Sequence, residues 1–171
     1  MPGSVQAPAL LSRDPLTIYV NDHLAGAAFG RELAARALAE NRATDFEAPL
    51  AELLGAIEED LRTAEAIRER LGAPRDRVKV AAGWTAEKLG RLKPNGRLTG
   101  YSALSRLLEL EALTGGIQAK RSLWRALSEL APHDARFDGE ELDRLVARAD
   151  EQLEQVASLH ARAARLALGA G

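Results

Sequence analysis

Four cations, a Pro-Asn-Gly turn and no acid fall within KLGRLKPNGRLTGY, the stretch from Lys88 to Tyr101. Lys88, Arg91, Lys93 and Arg97 lead directly into Ser102, where a helix is expected to begin. The free N–H groups and positive dipole end of a helix start favour an anion. Ser102 and Ser105 would add hydroxyl donors, and Tyr101 or Trp84 a stacking face. The chemistry this combination suits is binding of a small anionic ligand: a phosphate, a carboxylate or a nucleotide. A plainer reading is electrostatic. Residues 75–106 hold eight cations against Asp76 and Glu87, whereas residues 44–72 hold eight acids against three arginines, so the segment can lie as a basic strap across its own acidic hairpin. Exposed pairs of that kind contribute about 0–1 kcal/mol each.

Other chemistries lack their residues. There is no Gly-x-Ser-x-Gly elbow, no Gly-x-x-x-x-Gly-Lys phosphate cradle, and no spacing of Ser, His and Asp that suggests a triad. With no cysteine among 171 residues, thiolate catalysis, disulfides and sulfur-ligated zinc are excluded. A formal net charge of -2 and an aromatic content of 4% argue against nucleic acid as a partner. No run of about 18 apolar residues offers a membrane span. The opening MPGSVQAPALLSRDP reads as a flexible leader over residues 1–13, ahead of one helical domain over 14–168, and the chain as a soluble, cytoplasmic protein.

Ala, Leu, Arg and Glu dominate the pattern, and the one strand-like run, Val78 to Ala82, is too short to nucleate a sheet, so the class is all-α. Helix one is expected from Asp14 as N-cap, with Pro15 in the first turn, to about Asn41; its stripe is Tyr19, His23, Gly26, Gly30, Leu33 and Ala37. Helix two opens on Thr44 with Glu47 as a capping box and stops at Gly72. A short extra helix, about 76–92, precedes the Pro94-Asn95-Gly96 turn. Helix three runs from about Ser102 to Leu130 on a stripe of Leu104, Leu108, Ala112, Gly116, Ala119, Leu123 and Leu127. The last helix is capped by Asp138 with Glu141 and runs to about Leu168. Helices of this length bury their stripes only along one another, which predicts a four-helix bundle. Gly26 and Gly30 on helix one, with Gly115, Gly116 and Ala119 on helix three, are expected to let those two helices touch.

Two helical hairpins joined by a long crossover, here residues 72–101, resemble the ferritin-like superfamily over nearly the whole chain. The resemblance is one of architecture, and it implies a di-metal centre of one Glu from each of two helices plus a Glu-x-x-His from each of the others. This sequence departs from that motif: the residues three before His23, His133 and His160 are Val20, Leu130 and Ala157. What remains is a partial set, His23, Glu58, Glu111 and His160, whose mixed nitrogen and oxygen ligands would suit iron, manganese or zinc. It requires all four to share one cross-section of the bundle. Glu59 and Glu109 are expected to point away from the stripes. The leading reading carries no cofactor: a ferritin-like bundle that binds, scaffolds or self-associates rather than an enzyme. Leu107, Leu110, Leu113, Ile117 and Trp124 lie beyond the main stripe of helix three and predict a second apolar surface, most simply a homodimer interface.

Overall fold

The computed structural model describes residues 14–74 and 101–169, and among them the chain is all-α. Four helices account for the architecture: α1 (Pro15–Glu40), α2 (Glu47–Arg70), α3 (Ala103–Ser128) and α4 (Gly139–Leu168). Local chemistry fixes most of their ends. Asp14 caps α1 by accepting from the Leu16 N–H, and Ser102 caps α3 by accepting from that of Ser105. Asp138 accepts from both Glu140 and Glu141, as its spacing predicts. Gly72, at φ +64°, closes α2 with paired bonds from Gly72 N to Glu69 O and Ala73 N to Arg68 O, the backbone pattern that a left-handed residue after a helix permits.

The start of α2 departs from the expectation by a few residues. The helix begins at Glu47 rather than Thr44; the Thr44 hydroxyl accepts from Phe46 N, and the Glu47 carboxylate accepts from Ala43 N at 2.7 Å. Both side chains thus serve the turn before the helix, where Ala43 holds φ 58°, a left-handed conformation costly for alanine. That hydrogen bond, with Arg42 beside it, holds the Glu47 carboxyl below its ordinary pKa.

Cross-helix partners give the topology. Arg31 pairs with Glu58, so α1 and α2 form an antiparallel hairpin; Arg36 with Glu109 and Asn41 with Arg106 set α3 antiparallel to α1. Arg70 meets Glu141 and Arg162 meets Asp45, which runs α4 antiparallel to α2. Each neighbouring pair is antiparallel and each diagonal pair, α1 with α4 and α2 with α3, is parallel. The connection over 75–100 therefore starts at one end of the bundle, where Asn21 donates to Pro74 O, and finishes at the other, where Tyr101 meets Asn41. The expected short helix over 76–92 lies outside the described residues, as does the leader. Among the described residues no helix is long and apolar enough to cross a membrane.

The core overturns one expected face. On α3 the buried residues are Leu107, Glu109, Leu110, Leu113, Ile117, Leu123, Trp124 and Leu127, while Ala112, Gly116 and Ala119 are exposed. Two helical stripes compete on α3, and the one with the larger side chains wins because it removes more apolar area from water. Leu107, Leu110, Leu113, Ile117 and Trp124, which suggested a dimer surface, are core within the chain. On α2 the expected stripe holds at Leu50, Leu53, Ile57, Ala64 and Ile67, with Asp60 and Arg68 buried among them.

Candidate functional site

The small residues of α1 and α3 face each other but do not touch. Around Gly26, Gly30, Gly115 and Gly116 no described atom lies within 4 Å of where a Cβ would stand. The polar contacts between the two helices lie toward the end of α1 and the start of α3, and beyond them the helices flank a groove of about 700 Å³. Its walls are Ala25, Gly26 and Gly30 on one side and Ala112, Gly116 and Ala119 on the other, and its floor includes Leu33, Ile57 and Trp124. A volume of that size lies within the range of ligand sites, and its lining is mainly apolar. The close approach expected from the glycines is thus replaced by an opening.

Three polar features border the groove. Trp124 is fully buried and its indole N–H has no hydrogen-bond partner among the described residues. His23 packs edge-on against the Tyr19 ring at 4.5 Å, and burial pulls its pKa below the ordinary value, against a smaller opposing pull from Asp22. Lys120, at the deep side, donates to Asp60 and Gln152. Asp60 is 2% exposed and also accepts from Arg148 and, at 2.9 Å, from Gln152 Nε2. Desolvation lowers the Lys120 pKa, with Asp60 opposing it. The carboxylate, the ammonium and the amide satisfy one another, as buried charges must. No signal in the apolar periodicity marks Asp60 as buried; the position only appears when the α2 stripe is continued from Ile57 to Ala64.

The closed end of the same helix pair is held by a second polar cluster. Glu109 is fully buried, not pointing away as expected; it accepts from Arg36 Nε at 2.8 Å and from the Tyr101 hydroxyl at 2.7 Å. Asn41, also fully buried, donates to Ala37 O and the Tyr101 oxygen and accepts from Arg106. Burial first, and the Glu109 hydrogen bond next, push the Tyr101 phenol well above its ordinary pKa. Tyr101 therefore stays protonated and acts as a donor to the buried carboxylate.

The residues proposed as metal ligands fall apart into pairs. His160 Nε2 and Glu111 Oε1 lie 3.3 Å apart on the surface of the α3–α4 hairpin. Glu58 pairs with Arg31 at 3.4 Å. The pairing of Arg36 with Glu109 sets Glu111 beside the residues around Ala35 of α1, about a dozen residues, or ~18 Å along the axis, from His23. Among the described residues no group of three or more His, Asp or Glu side chains is arranged to hold a metal ion. Of the expected anion-binding residues, Lys88, Arg91, Lys93 and Arg97, with Trp84, lie outside the described residues, and the Ser102 hydroxyl serves as the α3 cap. Comparison with known proteins supplies no relative: no family model, no curated protein and no solved structure matches the chain.

Proposed function

We propose that this chain is a binding protein rather than an enzyme, and that its working surface is the α1–α3 groove, which takes an apolar helix from a second copy of the chain. One observation carries this reading: exposed glycine and alanine on two facing helices, with open space, among the described residues, where a Cβ would stand at Gly26, Gly30, Gly115 and Gly116. Small residues on both walls admit a third helix backbone closer than larger side chains would allow. Water in the groove leaves apolar walls unsatisfied, and filling them gains roughly 25 cal/mol per Å². Two identical grooves exchanging one element fill both with twofold symmetry.

The antiparallel neighbours and parallel diagonals support the ferritin-like layout, whose characteristic ligand set has no counterpart among the described residues. Light scattering behind a sizing column tests the reading on the full chain at about 10 and about 200 µM. The expected result is a dimer that Gly116→Leu converts to monomer without loss of helicity. A wild-type monomer whose thermal midpoint falls with Gly116→Leu would overturn self-association and show that the groove is filled from within the chain, whose anchors Pro74 and Tyr101 stand at opposite ends of the bundle. A wild-type monomer indifferent to Gly116→Leu would overturn helix binding altogether.

A further inference from the structure

At the end of the bundle where α1 turns into α2, two arginines cover one aromatic ring and a third lines the recess beside it. The guanidinium carbons of Arg106, from α3, and Arg162, from α4, lie 4.3 and 4.7 Å from the centre of the Phe46 ring, so the two cations sit within about 9 Å of each other. Arg165 lines the same recess, whose volume is about 420 Å³. Opposing charge is scarce. Arg106 spends its Nε on Asn41, and Arg106 and Arg165 make no ion pair among the described residues. Arg162 donates to the Asp45 carbonyl and stands 3.8 Å from a carboxylate that is 94% exposed. Asp45 is the one acid lining the recess among the described residues.

Three like charges on separate turns of two helices repel one another, and the negative end of the α4 dipole offsets only part of that repulsion near Arg165. Nothing in apolar packing requires guanidinium here: Phe46, 3% exposed, could be covered by leucine. The recess also takes in Thr44, Asp45 and Phe46, the residues that lead into α2. Planar guanidinium forks match the oxygens of a tetrahedral anion, and stacking on Phe46 fixes the plane of two of them in advance. We infer that this recess is a binding site for a phosphate-bearing small anion, held by Arg106, Arg162 and Arg165. The three arginines belong neither to the lining of the α1–α3 groove nor to the cations counted from Lys88 to Arg97.

Isothermal titration of the full chain with inorganic pyrophosphate, and in parallel with citrate, tests the inference. One equivalent of pyrophosphate is expected to bind, with affinity falling as salt rises. Arg165→Gln, at an exposed position without an ion-pair partner, is expected to weaken binding about tenfold, and Arg106→Gln at least as much; Arg70→Gln, which removes a cation at the far end of the bundle, leaves it unchanged. Arg165→Lys recovers part of the loss, which a change in folding would not do. Citrate binding equal to pyrophosphate assigns the site to carboxylates and overturns the phosphate class. Absence of any heat with wild type, or equal binding by wild type and Arg165→Gln, overturns the site. Loss only in the Lys88, Arg91, Lys93 and Arg97 quadruple glutamine variant overturns it too, and moves recognition to the connection.

Discussion

The two halves of the α1–α3 interface are built from the same pair of helices and behave in opposite ways. At one end Glu109, Arg36, Tyr101 and Asn41 reach across and interlock; at the other, glycines and alanines leave a groove. Helix axes in an antiparallel pair do not close on each other because short side chains permit it. They close where groups long enough to span the gap gain more from meeting each other than from water. The closed half meets that condition with a buried carboxylate satisfied by two donors, and the open half offers backbone and methyl groups with no described side chain against its glycines. Glycine permits an approach; it does not cause one.

Three changes would break or sharpen that contrast. The largest effect is expected from Glu109→Ala, which removes the acceptor shared by Arg36 and Tyr101 and leaves a void in the closed half. A loss of about 3 kcal/mol in urea unfolding is expected, and a loss below about 1 kcal/mol would mean that apolar contacts, not this carboxylate, hold the end shut. Gly116→Ala comes next and has the opposite sign. With no described atom of the single chain near its Cβ position, the substitution introduces the better helix former and should raise stability by about 0.5–1 kcal/mol at a concentration low enough to hold the chain monomeric. A fall in the midpoint of that monomer would show the groove filled from within the chain.

The smallest effect is a pH dependence centred on His23. Burial on the groove wall lowers its folded-state pKa below the unfolded value of 6.5. The unfolded chain therefore takes up the proton first as pH falls, so the stability present above 6.5 is lost on acidification through the folded pKa. Wild type should lose more of its midpoint between pH 7.5 and pH 5 than His23→Gln does, and parallel curves for the two proteins would place the titration elsewhere. A guest in the groove would steepen the wild-type curve, because it removes more water from the imidazole.

Much of the architecture was legible because it is encoded locally. Asp14, Asp138 and Gly72 mark helix ends through chemistry confined to three or four residues, and the α2 stripe repeats with one period. The face of α3 was not legible. That helix carries apolar residues all round, so periodicity offers two stripes, and only the partner helices decide between Leu113 with Ile117 and Ala112 with Gly116. Glu109 and Asp60 were hidden for a related reason. A carboxylate can be buried only if donors reach it, and Arg36, Lys120 and Arg148 arrive from other helices 73, 60 and 88 residues away, with only Tyr101, eight residues from Glu109, close in sequence. The metal reading failed to gather its residues on geometry of the same long-range kind: His23 and Glu111 sit on antiparallel helices at different heights. Arg106, Arg162 and Arg165 were individually visible, but nothing short of the fold brings the first beside the other two.

The ladder around Asp60 also orders events in time. Its bonds to Lys120, Arg148 and Gln152 span 60, 88 and 92 residues, whereas each hairpin turns back within a few residues of its own loop. The α1–α2 and α3–α4 hairpins can form early from local contacts, each with half of the ladder exposed and hydrated. Docking them must strip water from both halves at once, before any of the charges has its partner, so the barrier to folding lies at that meeting. The slow step is the closing of a charged seam, and substitutions that shorten the path to it by neutralising Asp60 and Lys120 together would speed folding more than any improvement to the hairpins.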